Sequence, residues 1–406
     1  MDNKGRLIAT LFGCLVAFVG AEVSLRILSR FSPDVEFIAT AGMKKPVPVF
    51  STLEDYVSAH PTQLYPHRNW FNYFNNAFGF NDQEFDDHAP PETRRILALG
   101  DSFVYGLSPY PMNVMTHLER LLSEQCDCPV EILNAGVAST GVWDYQQVFR
   151  LMVDRFHPHE ILLHFYFGND GPDLVNRKSD IPDGKIPVFQ SYAVRAIKNG
   201  FRVLRGVKVD SHNFAVDDPQ RKAANSTAGI LPRGGMQAEE GKDLSETAAV
   251  FQGPTFSDSA YDETLAEEVM RFALLDDARE LATWQPILSQ FEELGRQALA
   301  RGLKVVVVGY PSRLQLDSQL FDRAVADCQQ LKKRCRELKR AQFDATRPNR
   351  FLKAELEKRG FRFVDLTPAM SDHYATHAQT LYMRNDTHWT PLGNALAASS
   401  EAKALR

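Results

Sequence analysis

Short apolar runs alternate with amphipathic stretches along much of this chain. The run Ile96-Leu97-Ala98-Leu99 stops at Gly100 and has the length and composition of a buried strand. Four further runs of this type lie at residues 130–133, 161–167, 305–308 and 361–364. Between the second and third runs, apolar side chains repeat at the spacing of one helix face, at Tyr145, Val148, Phe149, Met152 and Phe156. Strands that alternate with helices predict βαβ units, and therefore a parallel sheet covered on both faces.

Two long segments interrupt this regular pattern. Residues 31–90 are rich in proline, asparagine and aromatic residues, and they predict an extended arm that packs on a globular body. Residues 171–280 are rich in proline, glycine and polar residues, and such a long connection is unusual inside a compact domain. We therefore expect a lid-like insertion there. The predicted organisation is an N-terminal segment (1–30), the arm (31–90) and a main domain (91–406) that ends in a helix at 392–404.

The N-terminal segment has the pattern of a membrane-targeting sequence. Residues 7–21 carry no charged side chain, follow Lys4 and Arg6, and precede Glu22. A membrane span needs about 20 apolar residues, whereas the core of a signal peptide has about 7–15. Because the apolar pattern continues beyond Glu22, we expect an uncleaved membrane anchor, with the main domain in the periplasm or outside the cell. The alternatives are a secreted protein after signal cleavage and a cytosolic protein with a buried N-terminal helix.

Composition and charge exclude several classes of protein. Of 406 residues, 44% are hydrophobic and 24% are charged, which excludes a disordered chain and a polytopic membrane protein. The 46 Lys and Arg residues against 51 Asp and Glu residues give a net charge of −5. Nucleic-acid binding normally needs a clustered basic surface, so no nucleic-acid partner is expected.

The cysteines predict neither a disulfide framework nor a zinc site. Cys126 and Cys128 are one residue apart, which makes a mutual disulfide awkward. Cys328 and Cys335 share one face of a helical-looking stretch but lie too far apart along it for a local bridge. We therefore expect free thiols at these four positions.

Residues with catalytic chemistry follow the predicted strands, where the sites of parallel sheets lie. Ser102 comes just after the first strand, at a position suited to a nucleophile, and Gly136 follows the second, where a backbone N–H can approach a ligand. Asn169 follows the third strand and offers an amide donor to a developing oxyanion. Near the C-terminus, His388 offers a general base and Asp386 a carboxylate to orient it, if a turn brings them together. Taken singly, each residue also fits a helix cap or a turn.

Four sequence blocks, GDSFVYG, NAGVASTG, FGND and NDTHWTPLGN, together resemble those of the SGNH hydrolases, or GDSL esterase/lipase superfamily. The resemblance implies a flavodoxin-like three-layer α/β/α fold with a five-stranded parallel sheet, here with a long insertion and an N-terminal hydrophobic helix. It also implies that Ser102 is the nucleophile, His388 the base and Asp386 its partner. The oxyanion hole would then be formed by Ser102, Gly136 and Asn169.

The C-terminal block departs from the common pattern of the superfamily. That pattern places an aspartate three residues before the histidine, where this chain has Asn385, whereas its acid is Asp386. The Asp386-Thr387-His388-Trp389 sequence is similar to the DxHW block of alginate-type exopolysaccharide O-acetyltransferases. The acyl group could therefore pass to a sugar hydroxyl instead of water.

The function expected from these residues is hydrolysis of O-acyl groups, above all O-acetyl groups of a cell-envelope carbohydrate, through an acyl-serine intermediate. One alternative is an O-acetyltransferase that modifies an exopolysaccharide, and another is a non-catalytic carbohydrate-binding protein. No metal or organic cofactor is expected. The expected partners are an acylated carbohydrate or small ester, the membrane through the N-terminal segment and, for a transferase, a membrane acyl-donor protein.

Overall fold

The computed structural model describes residues 3–28, 31, 49–61, 63–70, 73–170, 193–194, 196–197, 256–274 and 277–406. Most of the predicted insertion at 171–280, and residues 32–48 of the predicted arm, lie outside the described residues. The chain divides into two compact units. The first comprises Met1–Pro48 and Asn176–Phe214, and the second comprises Val49–Val175 and Ala215–Arg406.

The secondary structure follows the alternation predicted from the sequence. The strands are β1 (Asn69–Trp70), β2 (Tyr73–Phe74), β3 (Arg94–Gly100), β4 (Val130–Gly136), β5 (Glu160–Tyr166), β6 (Lys304–Tyr310) and β7 (Arg362–Asp365). The α-helices are α1 (Asn3–Leu28), α2 (Leu53–Ala59), α3 (Ser102–Tyr105), α4 (Val114–Cys126), α5 (Val142–Phe156), α6 (Asp258–Glu268), α7 (Asp277–Leu299), α8 (Arg313–Leu316), α9 (Ser318–Leu331), α10 (Lys333–Arg336), α11 (Arg347–Lys358), α12 (Thr367–Leu381) and α13 (Pro391–Ala404). Short 3-10 turns lie at Tyr110–Met112, Val269–Phe272 and Arg340–Gln342.

A five-stranded sheet forms the centre of the second unit. Its strand order is β4-β3-β5-β6-β7, and all neighbouring strands are parallel. Helices α5, α7 and α11 contribute to the core on one face, and helices α4, α12 and α13 to the core on the other. The five predicted strands and the three-layer α/β/α architecture are confirmed, and this strand order is the flavodoxin-like one.

The first unit contains α1, in which the carboxylate of Glu22 pairs with Arg26 at 2.7 Å. The second carboxylate oxygen of Glu22 accepts a hydrogen bond from the Ala193 amide at 3.0 Å. No helix in the part of the chain that the structure describes has both the length and the apolar character needed to cross a membrane.

The described residues of 49–90 belong to the second unit and reach the loop that follows α3. Tyr56, in α2, and Phe80 are buried in the core on one face of the sheet. The side-chain amide of Asn81 donates to the carbonyl oxygens of Gly106 and Ser108, both at 2.8 Å. This segment therefore fixes the loop just beyond α3, the helix that begins at Ser102.

The prediction of free thiols is wrong, because the structure contains two disulfides, Cys126–Cys128 and Cys328–Cys335. The residue between the first two cysteines adopts a left-handed conformation, which ends α4 and brings their Cα atoms to 5.1 Å. The stretch around the second pair is not one continuous helix. It breaks at Lys332, whose extended backbone turns the chain back and leaves 5.6 Å between the Cα atoms.

Candidate active site

Ser102 lies at the carboxyl edge of the sheet, where β3 passes into α3. Gly100 ends the strand, and Asp101 caps the helix by accepting a hydrogen bond from the Phe103 amide at 2.9 Å. Ser102 is the first residue of α3 and is 5% exposed. The capping carboxylate and the short helix hold the serine in one place, as its position after the first predicted strand suggested.

The catalytic histidine predicted from the sequence lies in a tight loop. Tyr382 and Trp389 pair as an isolated antiparallel bridge at its base, and the Met383 amide donates to the carbonyl oxygen of His388 at 2.9 Å. Asn385 takes a left-handed conformation, with a φ of 53°. This loop supplies the turn that side chains two residues apart need in order to meet.

A continuous hydrogen-bonded chain joins the three residues that were predicted to form a triad. His388 Nε2 lies 2.7 Å from Ser102 Oγ, and His388 Nδ1 lies 2.6 Å from Asp386 Oδ1. The same carboxylate oxygen accepts the backbone amide of His388 at 3.0 Å. Asp386 therefore fixes both the backbone and the ring of His388, despite its departure from the common spacing.

An aromatic ring packs against the histidine. The Phe103 ring lies 5.1 Å from the His388 ring and 4.9 Å from Trp389, measured between centroids. Burial by itself lowers the pKa of His388, but the charge and hydrogen bond of Asp386 raise it, with further contributions from Asp101 and Glu268. The net result is a pKa above the usual histidine value, so the site favours the imidazolium form.

Gly136 lies against α3, the helix that begins at Ser102. It pairs with Gly100 in the sheet, and a Cβ atom built on it would come within 2.1 Å of the Tyr105 amide nitrogen. Only glycine allows this close approach of β4 to α3. The Gly136 amide, however, donates to Asn134 Oδ1 at 3.1 Å. It would have to exchange this acceptor for a substrate oxygen in order to act in an oxyanion hole.

Asn169 follows β5 at the same edge of the sheet. Its amide oxygen is buried and has no hydrogen-bond partner among the described residues. The neighbouring Asp170 is fixed, since its carboxylate accepts from the Tyr145 hydroxyl at 2.8 Å and the Tyr166 amide at 2.7 Å. The structure thus places Asn169 on a turn that Asp170 anchors, and the oxygen of its side chain is unpaired among the described residues.

Sequence reasoning missed Glu268, a buried acid whose charge acts on His388. It ends α6, inside the segment that was interpreted only as a lid, and its carboxylate accepts a hydrogen bond from the Ser312 hydroxyl. No sequence signal connects these residues, because they meet only through the packing of α6 on the main domain. In the described ranges, no cluster of His, Cys, Asp and Glu side chains could hold a metal ion.

Comparison with known proteins identifies the C-terminal part of the chain. Residues 274–406 match the family model described as the SGNH hydrolase-like domain of the acetyltransferase AlgX. This region, about a third of the chain, contains Asp386 and His388 but not Ser102. No curated protein matches the chain.

Solved structures of the same general type were also found. A protein described as lipolytic, of the G-D-S-L family, from Desulfitobacterium hafniense is 11% identical, over 77% of this chain and 99% of its own, with a TM-score of 0.34. A lipase/acylhydrolase from Enterococcus faecalis is 13% identical, over 76% and 94%, with a TM-score of 0.34. An acetyl-xylooligosaccharide esterase from Geobacillus is 12% identical, over 77% and 94%, with a TM-score of 0.32.

At TM-scores this low, the assignment depends on the family model and on the residues of the site. Ser102 and His388 lie in sequence blocks that resemble those of the superfamily, and both are joined with Asp386 in one chain of hydrogen bonds. The C-terminal third of the chain is similar to the SGNH hydrolase-like domain of the acetyltransferase AlgX.

Proposed function

We propose that this protein is a serine-dependent enzyme that cleaves O-acyl esters, above all O-acetyl groups on a cell-envelope carbohydrate. The observation that carries the proposal is the chain of hydrogen bonds from Ser102 Oγ through His388 to Asp386, with distances of 2.7 and 2.6 Å. A nucleophile, a base and a carboxylate that orients the base are the parts that acyl transfer through serine requires.

The reaction takes place in two steps. His388 Nε2 accepts the Ser102 proton while Ser102 Oγ attacks the ester carbonyl. The protonated ring then gives that proton to the departing alkoxide, which leaves an acyl-serine. In the second step His388 removes a proton from water, and the resulting attack releases the acid and restores Ser102. Asp386 keeps Nδ1 protonated, so that Nε2 is available as the base.

The negative oxygen of the tetrahedral intermediate needs hydrogen-bond donors. We assign these to the backbone amides of Ser102 and Gly136 and to the side-chain amide of Asn169. Asn169 follows β5 at the edge of the sheet where Ser102 follows β3, and this position supports its role. For Gly136, substrate binding must displace the present bond to Asn134.

Transfer of the acyl group to a sugar hydroxyl is the second candidate. The observations that favour it are the match of residues 274–406 to the AlgX domain and the Asp386-Thr387-His388-Trp389 sequence within it. The chemistry at Ser102 is the same in both cases, and only the acceptor in the second step differs. A transferase also needs an acyl donor, which we propose is a membrane protein.

We also propose that the enzyme works outside the cytoplasm, in the periplasm or beyond. The two disulfides support this location, since such bonds persist mainly in oxidising compartments. The N-terminal segment would direct the chain there, as an anchor or as a cleaved signal. Fusing alkaline phosphatase to the C-terminus tests the export: an inactive fusion would overturn this location.

Hydrolysis of 4-nitrophenyl acetate by the purified full-length protein tests the enzymatic activity. Ser102→Ala should lower kcat/KM by at least about 10³-fold. Ser371→Ala, which removes a hydroxyl that bonds only within α12, is the matched control and should retain activity. Equal activity in wild type and Ser102→Ala would contradict the proposal and favour a non-catalytic carbohydrate-binding protein.

The identity of the products distinguishes hydrolase from transferase. With an oligosaccharide present, a hydrolase yields free acetate at an unchanged rate. A transferase yields acetylated sugar, and sugar accelerates the loss of the acyl group from Ser102.

A further inference from the structure

The catalytic loop, residues 383–388, is fastened at its tip to the start of α6. Asn385 donates from its side-chain amide nitrogen to the Phe256 carbonyl oxygen at 3.1 Å and to Asp258 Oδ1 at 2.6 Å. Both partners are acceptors, so each amide hydrogen of Asn385 has a partner. Because Asn385 directly precedes Asp386 in the chain, these bonds hold the backbone from which the carboxylate of the triad projects.

Helix α6 is fixed to the main domain and can therefore serve as a support. Its buried residues Tyr261 and Leu265 pack with Phe321 of α9 in one apolar cluster. The Cys328–Cys335 disulfide belongs to the same cluster and ties α9 to α10. The start of α6 thus gives the tip of the catalytic loop a fixed point of attachment, although 127 residues separate the two sides of the closest contact.

The same helix is connected to the base of the catalytic loop through Arg313. Arg313 Nη1 donates to the Tyr261 hydroxyl at 3.2 Å, and the guanidinium lies over the Tyr382 ring at 5.7 Å. Tyr382 pairs with Trp389 across the base of the loop. Helix α6 therefore supports the loop at two places, the tip at Asn385 and the base at Tyr382.

The geometry inside the catalytic loop needs this support. Asp386 Oδ1 accepts hydrogen bonds from both the backbone amide and the ring Nδ1 of His388, at 3.0 and 2.6 Å. Asn385 has a φ of 53°, a left-handed conformation that costs free energy for residues other than glycine. Such a conformation persists where the surrounding structure holds it, and the bonds to Phe256 and Asp258 do so here.

We propose that Asn385 is a positioning residue for the acyl-transfer reaction, whose side-chain amide fastens the catalytic loop to α6 and so keeps Asp386 beside His388. This inference rests on the proposed function. The proton still moves from Ser102 Oγ to His388 Nε2, and Asn385 takes no part in that transfer. Its effect is on the orientation of the base, since a displaced Asp386 leaves the His388 ring free to turn away from Ser102.

Asn385→Gly removes the amide and keeps the left-handed conformation accessible. We expect kcat for 4-nitrophenyl acetate to fall about tenfold with KM nearly unchanged, because the orientation of His388 affects the chemical step and not the binding of the ester. Asp258→Ala removes one of the two acceptors and should lower kcat about threefold. Asp258→Asn, which keeps an acceptor oxygen, should recover most of that loss.

The double variant tests whether the contact itself carries the effect. In Asn385→Gly/Asp258→Ala, kcat should fall no further than in Asn385→Gly, since the hydrogen bond is already absent. Asp262→Ala is the matched control, because Asp262 is on the same helix and pairs with Arg323 at 3.1 Å. Its kcat should be that of wild type. Losses that multiply in the double variant would overturn the inference.

Proton NMR of the His388 Nδ1 proton gives a readout that needs no turnover. The short bond to Asp386 shifts this signal downfield, and in Asn385→Gly it should move upfield. In the folded variant, either an unchanged signal or an unchanged kcat would overturn the inference and leave the role of Ser102 intact. If Asn385→Gly fails to fold, equal kcat values for Asp258→Ala and wild type would overturn it. Esterase activity that survives Ser102→Ala would instead overturn the proposed function.

Discussion

The Oγ atom of Ser102 lies 2.7 Å from the Nε2 atom of His388, although 286 residues separate them in the chain. The sheet explains how they meet. Ser102 follows β3, an inner strand, while His388 lies in the loop between α12 and α13, the two helices that follow the edge strand β7. Helix α13 packs on α4, and both helices lie on the same face of the sheet. This packing brings the loop before α13 close to the end of β3.

Replacing Asp386 by asparagine should disable the base without removing it. The carboxylate holds the Nδ1 proton of His388 and, with burial opposing it, raises the pKa of that ring. Asparagine can present its amide to Nδ1 and favour the wrong tautomer, so we expect kcat to fall by about 10⁴-fold. The acid limb of the pH profile should move to lower pH. A decrease of less than tenfold would contradict the role of Asp386.

Asn169→Ala tests the oxyanion hole. The side chain is partly exposed, and its oxygen has no partner among the described residues, so its removal should change the thermal midpoint by only a few degrees. Loss of one donor to the oxyanion should lower kcat by about 10²–10³-fold with little change in KM. An unchanged kcat would exclude Asn169 from the oxyanion hole.

Glu119 should make the stability of the fold depend on pH. Burial raises its pKa to about 7, although its carboxylate accepts the Ile132 amide of the edge strand β4 at 2.7 Å. A folded pKa above the unfolded value means that the stability contribution is fully present below about pH 4.5 and is lost as pH rises through about 7. Glu119→Gln should therefore be about 3 kcal/mol more stable than wild type at pH 8, but not at pH 4.

Urea unfolding at the two pH values measures this difference. Glu124→Gln is the control, because Glu124 is exposed on the same helix and pairs with Arg120. It should show no such dependence on pH. If wild type and Glu119→Gln differ by the same free energy of unfolding at both pH values, the prediction is refuted.

A buried network under the site should depend on hydrogen bonds more than on charge. His164 Nε2 lies 2.9 Å from Glu401 Oε1, and the Tyr310 hydroxyl donates to the other oxygen of Glu401 at 2.8 Å. His164 Nδ1 lies 3.2 Å from the Leu99 carbonyl oxygen. Both ring nitrogens of His164 and both carboxylate oxygens of Glu401 therefore have hydrogen-bond partners inside the protein.

Glutamine at position 401 can keep every one of these bonds with a neutral ring. Glu401→Gln should therefore cost no more than about 1 kcal/mol of the free energy of unfolding. Glu401→Leu leaves two buried polar groups without partners and should cost about 3–5 kcal/mol. Denaturant unfolding of wild type and both variants measures these costs. A Glu401→Leu variant as stable as wild type would show that the network contributes nothing.

The elements that could be predicted from sequence are those with a local signal. Apolar runs ending in glycine located β3, and the residues after each strand located Ser102 and Asn169, because a parallel sheet gathers its strand ends at one edge. The prediction for Cys328 and Cys335 failed for a local reason, since it assumed a continuous helix through Lys332. Glu268 was not predictable, because its partner Ser312 is 44 residues away and only tertiary packing joins them.

The central claim is that Ser102 carries the acyl group, and intact mass spectrometry tests it most directly. The full-length protein is mixed with 4-nitrophenyl acetate and quenched over time, with Ser102→Ala in parallel. We predict a transient gain of one acetyl group in wild type, located at Ser102 by peptide mapping, and none in Ser102→Ala. Turnover with the acetyl group at another residue, or an equal adduct in Ser102→Ala, would contradict the claim.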